Sequence, residues 1–236
     1  MATLAGSSTR GYAYSAIMPL DAAGSRRFYD RFGRFQDTQR VYEGPAVQRL
    51  VELADLERSV SVFELGCGTG RLASKLLTSV LPPSARYLGV DVSPTMDGLA
   101  TARLARWSER AKIELLKPPA VELPGEDAAF DRFLAAYVFD LLSSDDAHAL
   151  MGEAVRLLAP GGLLALVSLT HGTTPASRII AAGWNAVATR WPAMVGGCRP
   201  IELRGLITGP EWHLDHAEVI VRYGVPSEVV VARRIR

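Results

Sequence analysis

Three glycines at alternate positions, Gly66, Gly68 and Gly70, close the apolar run Ser61-Val62-Phe63-Glu64-Leu65 and open an amphipathic stretch at Arg71. No other segment constrains the fold as tightly. Residues without a Cβ let a chain leaving a strand turn sharply and lie close against a ligand. The next apolar run, Tyr87-Leu88-Gly89-Val90, ends in Asp91, which lies 91−70 = 21 residues beyond the last glycine. A doubly wound sheet places a ribose-binding carboxylate at about this distance. The two signals together predict an α/β fold with a nucleotide-type site.

The rest of the chain keeps the rhythm of a parallel sheet. Strands are predicted over 60–65, 86–91, 112–116, 132–138 and 163–169, and helices over 70–80, 94–110 and 144–159. Pro160-Gly161-Gly162 is expected to stop the last of these helices. Ahead of the sheet, Phe28, Phe32 and Phe35 share one face of a helix over 25–37, and a second helix is expected from Pro45 to Leu56. Ser177 to Trp191 has a helical pattern, and Ile201 to Ile207 suggests a short helix. The runs His213 to Tyr223 and Ser227 to Ala232 are separated only by Gly224-Val225-Pro226, too short for a parallel crossover. They should form an antiparallel hairpin.

Length and charge narrow the class. A chain of 236 residues suits one α/β domain. Its 26 basic and 25 acidic residues leave a net charge of +1, too little to hold nucleic acid or an anionic membrane. Two cysteines, Cys67 and Cys198, do not make a disulfide framework, so a reducing, cytoplasmic setting is expected. No apolar run approaches membrane-spanning length. Residues 1–24 are expected to be a loose tail and 25–236 a single domain. Within that domain, 25–57 would form a helical lid, 58–170 the ligand-binding core, and 171–236 substrate-side helices with the terminal hairpin.

The spacing discriminates among nucleotide loops. Counting from Gly66, the dinucleotide pattern Gly-x-Gly-x-x-Gly demands a glycine where Arg71 stands. A phosphate-cradling P-loop requires Gly-Lys-Ser/Thr, and Gly70 is followed by Arg71-Leu72. A nucleoside ligand without phosphate remains.

Glu64-Leu65-Gly66-Cys67-Gly68-Thr69-Gly70-Arg71-Leu72-Ala73, Gly89-Val90-Asp91-Val92-Ser93 and Arg156-Leu157-Leu158-Ala159-Pro160-Gly161-Gly162 together resemble class I S-adenosylmethionine-dependent methyltransferases. Phe28-Tyr29-Asp30-Arg31-Phe32 and the terminal hairpin are similar to the ubiquinone/menaquinone biosynthesis group. The resemblance implies a Rossmann-like, doubly wound, mostly parallel seven-stranded sheet with an antiparallel C-terminal hairpin and an N-terminal helical lid. It also implies S-adenosylmethionine as cofactor and S-adenosylhomocysteine as product. Gly66, Cys67, Gly68 and Gly70 would follow the methionine part, Glu64 would fix its amino group, and Asp91 would take both ribose hydroxyls. Val92 and Met96 would pack on the adenine, Ala120 and Val121 would read it through their backbone, and Tyr137 would border the sulfonium. The family often has an acidic residue before the alanine of the adenine loop, whereas this chain has Pro118-Pro119-Ala120. The segment Ala136-Tyr137-Val138-Phe139 is not the Asn/Asp-Pro-Pro-Tyr/Phe signature of enzymes that methylate nucleic-acid bases.

A sulfonium is already electrophilic, so in-line displacement gains most from holding the acceptor close in a dry site. A base is needed only where the acceptor must lose a proton. His171, just beyond the strand ending at Leu169, is the first candidate by position, with Tyr137 and Asp140 as runners-up. No metal is expected. Seven of the fourteen Phe and Tyr residues lie in the first 42 positions, which favours a small apolar, cyclic or aromatic acceptor. Two alternatives stay open: a donor-binding protein that transfers no methyl, and a nicotinamide-dependent oxidoreductase. Oligomeric state is not legible.

Overall fold

The computed structural model describes residues 40–117, 122–172, 183 and 198–236. The expected tail, the aromatic helix over 25–37, Ala120 and Val121, and nearly all of the expected helix over 177–191 lie outside the described residues.

Helix α1 (Arg40–Leu53) leads into β1 (Ser61–Leu65), α2 (Arg71–Ser79), β2 (Arg86–Asp91), α3 (Pro94–Leu104) and β3 (Ala111–Leu115). The chain then returns through β4 (Phe130–Ala136), α4 (Ser144–Leu157), β5 (Leu158–Leu169), β6 (Trp212–Arg222) and β7 (Val225–Arg234). Among the described residues the strands form one seven-stranded sheet in the order β3-β2-β1-β4-β5-β7-β6. The first five are parallel, and β7 runs antiparallel to both neighbours. The doubly wound sheet with its terminal hairpin is therefore as the sequence predicts. From β1 the chain winds outward to β3 and then crosses back to β4, so β1 and β4 flank the switch point where such sheets bind ligands.

Strand alternation divides the core between the two faces. Phe63, Phe133, Leu164 and Val230 pack with Leu150, Ala154 and Leu157 of α4 on one side. Val62, Leu134, Ala165 and Val231 pack with Leu50 of α1, Leu76 of α2 and Leu104 of α3 on the other. Because both faces are covered, the inner strands are buried along most of their length. At the amino-terminal end of β4 the buried Arg132 donates Nε to the Ala54 carbonyl and Nη2 to the Asp55 carbonyl, each at 2.7 Å, tying the end of α1 to the sheet.

Several boundaries differ from expectation for identifiable reasons. Helix α1 ends at Leu53 rather than Leu56, and Asp55 then takes a left-handed turn with φ 47°. Helix α3 ends at Leu104 and passes into a single 3₁₀ turn over Ala105–Trp107. The expected helix over Ile201 to Ile207 is a 3₁₀ turn at Leu203–Leu206. Pro160-Gly161-Gly162 does not terminate α4, which has already ended at Leu157. Leu158 pairs with Phe130 and Leu163 with Arg132, so the intervening residues form a bulge inside β5. Strand β4 ends at Ala136, not Val138, because Tyr137 turns left-handed at φ 56°.

Candidate functional site

The site begins where β1 meets α2. Gly66, Gly68 and Gly70 all have positive φ, at 70°, 53° and 69°, a conformation that costs other residues strain. Gly66 and Cys67 donate their amides to the Val90 carbonyl at 2.8 and 3.0 Å, so the loop folds back over β2. Gly70 donates to the Cys67 carbonyl at 2.9 Å and starts α2.

Two of the three positions also have no room for a side chain. A Cβ on Gly66 would run into Val138, which follows β4 across the switch point. One on Gly70 would lie 2.9 Å from the Ala100 Cα of α3. The spacing read from the sequence is thus the footprint of a loop wedged between β4 and α3.

Asp91 closes the loop from the other side. Its Oδ2 accepts the Gly68 amide and its Oδ1 the Ser93 amide, both at 2.9 Å. Burial raises its pKa, and the amides of Ser93 and Gly68 oppose the rise by favouring the carboxylate. Ser93 caps α3, its hydroxyl accepting the Met96 amide at 3.4 Å, with Pro94 in the first turn. Each Asp91 oxygen thus keeps lone pairs for hydroxyl donors while its orientation is fixed by backbone.

Glu64, at the end of β1, is 3% exposed, and its Oε2 accepts the Tyr87 hydroxyl at 2.6 Å. Burial lifts its pKa to about 7, against the Tyr87 hydrogen bond and with the help of the Asp91 charge. Burial likewise pushes the Cys67 thiol up, so it is a small packing residue and not a nucleophile. Of the two residues expected against the adenine, Val92 is 43% exposed and Met96 only 1%, which leaves Met96 little free surface.

The three candidates for acid–base work are spread over the carboxyl end of β4 and β5. Tyr137 is not a strand aromatic. Its amide donates to Val167 O at 2.7 Å, and its hydroxyl lies 2.8 Å from the Ser227 hydroxyl at the start of β7. Asp140 is fully buried: its Oδ2 accepts the Leu169 amide at 3.4 Å and its Oδ1 has no hydrogen-bond partner. Burial raises its pKa to about 7, partly offset by the Leu169 amide and the Arg199 charge. His171 stands two residues beyond β5 and is exposed. Among the described residues no hydrogen bond joins these three, and no group of His, Cys, Asp or Glu side chains clusters as metal ligands do.

Three contributors escaped the sequence reading. Tyr87 reaches Glu64 across a strand, and only the register of β1 on β2 shows it. On α4, Glu153 accepts the Leu123 amide at 2.7 Å, and Arg156 donates to Leu123 O at 2.7 Å and Gly125 O at 2.8 Å, pinning the turn before β4. Arg156 stood within a recognised segment, but its partners lie about 30 residues away and have no motif of their own.

Residues 62–162 match the family model described as a methyltransferase domain. The chain is 31% identical over 135 residues to the demethylmenaquinone methyltransferase of Lactococcus lactis subsp. lactis, covering 57% of this chain and 50% of that protein. The chain spans about half the length of the curated relatives it matches.

Among solved structures, the chain superposes on the N-methyltransferase NodS from Bradyrhizobium japonicum WM9, in complex with S-adenosyl-L-homocysteine. The TM-score is 0.66 at 19% identity, over 90% of this chain and 99% of that one. It superposes equally on the cyclase SpnF, with a TM-score of 0.69 at 17% identity over 93% and 98% of the two chains. No helix among the described residues is long and apolar enough to cross a membrane.

Proposed function

We propose that this chain transfers a methyl group from S-adenosylmethionine to a small, apolar, cyclic or aromatic acceptor by in-line displacement. The observation that carries the reading is the Asp91 carboxylate, fixed by the amides of Gly68 and Ser93 at the switch point of the sheet. An anchored carboxylate suits a pair of vicinal hydroxyls, and the loop that supplies one of its anchors fits no phosphate motif. Packing against Val138 and Ala100 holds the glycine loop in place, and with it the Gly68 amide beside Asp91.

In this reading Asp91 holds the ribose, Gly66 to Gly70 follow the methionine part, and Glu64 takes its ammonium group. Val92 offers the adenine an exposed apolar surface, and Ala120 and Val121 supply backbone contacts. When bound, the donor supplies an electrophilic methyl on a sulfonium. The protein's own contribution is to orient the acceptor and exclude water beside Tyr137. Where the acceptor must lose a proton, His171 is the base, because it is exposed at the ligand-binding end of β5 whereas Asp140 is sealed. A small-molecule acceptor and not nucleic acid agrees with the net charge of +1, and two cysteines agree with a cytoplasmic setting.

Titration calorimetry with S-adenosylmethionine and with NAD tests the donor, and saturable NAD binding without a response to the methyl donor would sink the reading. S-adenosylhomocysteine production over a panel of phenols, quinols, thiols and amines tests the transfer. A blank panel despite donor binding would favour another reaction on the same fold, as the likeness to a cyclase illustrates.

A further inference from the structure

Glu64 owes its position to a residue outside the glycine loop. In the parallel pairing of β1 and β2, Val62 is in register with Tyr87 and Glu64 with Gly89. Side chains two apart on a strand share a face. A side chain leaving Tyr87 therefore reaches Glu64 only by passing over Gly89. It does so: the Tyr87 hydroxyl donates to Glu64 Oε2 at 2.6 Å, with the two residues 2% and 3% exposed. A Cβ on Gly89 would lie 2.8 Å from that hydroxyl and 3.0 Å from the Cys67 Cβ. Gly89 has an ordinary negative φ, so the turn does not demand a glycine here. The crowding comes from the Tyr87 hydroxyl, nearest of the three, with Cys67 and with Ile113 Cδ1 at 3.0 Å.

We propose that Tyr87 is a positioning residue for the methyl donor, its hydroxyl aiming the Glu64 carboxylate at the donor's ammonium group while Gly89 keeps the path open. This rests on the glycine loop being the S-adenosylmethionine site. Burial pushes Glu64 up to about 7, and the hydrogen bond from Tyr87 is the main influence holding it down. The Tyr87 phenol is itself raised well above its usual value by burial and by Glu64, so it remains a donor at physiological pH. The other titratable groups facing Glu64 are Asp91 at the end of β2 and the Cys67 thiol in the loop, and neither stabilises its charge. On the β4 side its register partner is Leu134. Without Tyr87 the carboxylate would take up a proton at higher pH and lose its aim.

The test is calorimetry on the full chain with S-adenosylmethionine and with methylthioadenosine, which keeps the adenosyl thioether and lacks the ammonium and carboxylate. Tyr87→Phe should weaken S-adenosylmethionine binding by about tenfold, the scale of a lost charge-assisted hydrogen bond. Methylthioadenosine binding should be unchanged. The pH at which donor binding strengthens, followed from about 5.5 to about 7.5, should move upward in the variant. Gly89→Ala, whose Cβ would also press on Cys67 in the donor loop, should weaken S-adenosylmethionine binding, and the double variant should lose less than the sum of the two.

Wild-type affinity and pH midpoint in Tyr87→Phe would overturn the proposal, as would parallel loss of both ligands. A wild-type chain that binds no S-adenosylmethionine at all would instead remove the donor-site reading beneath it.

Discussion

Asp91 accepts the Gly68 amide at 2.9 Å while its other oxygen accepts the Ser93 amide at 2.9 Å, so one carboxylate joins the glycine loop to the cap of α3. The same group is the proposed ribose acceptor, and its structural and binding roles are coupled. Asp91→Asn retains one acceptor oxygen but presents an NH₂ to one of the two amides. Donor affinity measured by calorimetry should fall by roughly 10- to 100-fold. Asp91→Glu, one methylene longer, should not restore it, because the amides fix where the oxygens sit. Unchanged affinity in Asp91→Asn would mean that the ribose lies elsewhere.

Gly66 and Gly70 have the same backbone sign but different neighbours, and the difference is testable. At Gly66 the obstacle is the Val138 side chain, whereas at Gly70 it is the Ala100 backbone. Each alanine substitution should lower stability by about 1–3 kcal/mol through left-handed strain and crowding, read from chemical denaturation. Adding Val138→Ala should recover the steric part for Gly66→Ala, and no side-chain truncation should recover Gly70→Ala. Equal rescue at both sites would contradict the described packing.

The contrast between Gly66 and Tyr87 marks what a sequence exposes. Gly66, Gly68, Gly70 and Asp91 follow one another along the chain at distances set by a strand, a turn and a helix, so their spacing is legible. The hairpin of β6 and β7 is legible for the same reason, since three residues cannot make a crossover. Tyr87 and Glu64, or Tyr137 and Ser227, meet only through strand register and order, which depend on how helices of given length pack. Pro160-Gly161-Gly162 misleads because a bulge inside a strand and a helix stop use the same residues. The boundary is decided by whether β4 offers pairing on both sides of the bulge.

Asp140 gives stability a pH dependence whose sign is fixed. Burial pushes its pKa up to about 7 in the fold, well above the ordinary aspartate range, so the native state holds a proton that the unfolded chain releases. Its contribution is complete below the unfolded value and is lost as pH rises through about 7. Asp140→Asn mimics the protonated acid. The variant should be more stable than the parent by roughly 2–4 kcal/mol at about pH 8, with the advantage shrinking toward about pH 4. Glu64 has the same sign and a value of about 7, so the parent slope will not vanish in the variant. The difference between the two denaturation curves isolates Asp140, and a difference independent of pH would show that its carboxyl does not titrate in that window.

His171 is the one candidate base that combines exposure with a place beyond the carboxyl end of β5. If it removes a proton from the acceptor, its loss should not disturb the loop at Gly66 to Gly70. His171→Ala should therefore leave the S-adenosylmethionine Kd unchanged and lower kcat by roughly 10²- to 10⁴-fold with a phenol that is protonated at the assay pH. The deficit should narrow with a nitrophenol acidic enough to arrive already ionised, since no proton then needs a base. Asp140→Asn, which alters a sealed carboxyl, should show no such dependence on acceptor acidity. An equal loss on both phenols would make His171 a binding residue, and no loss on either would leave the displacement to orientation alone.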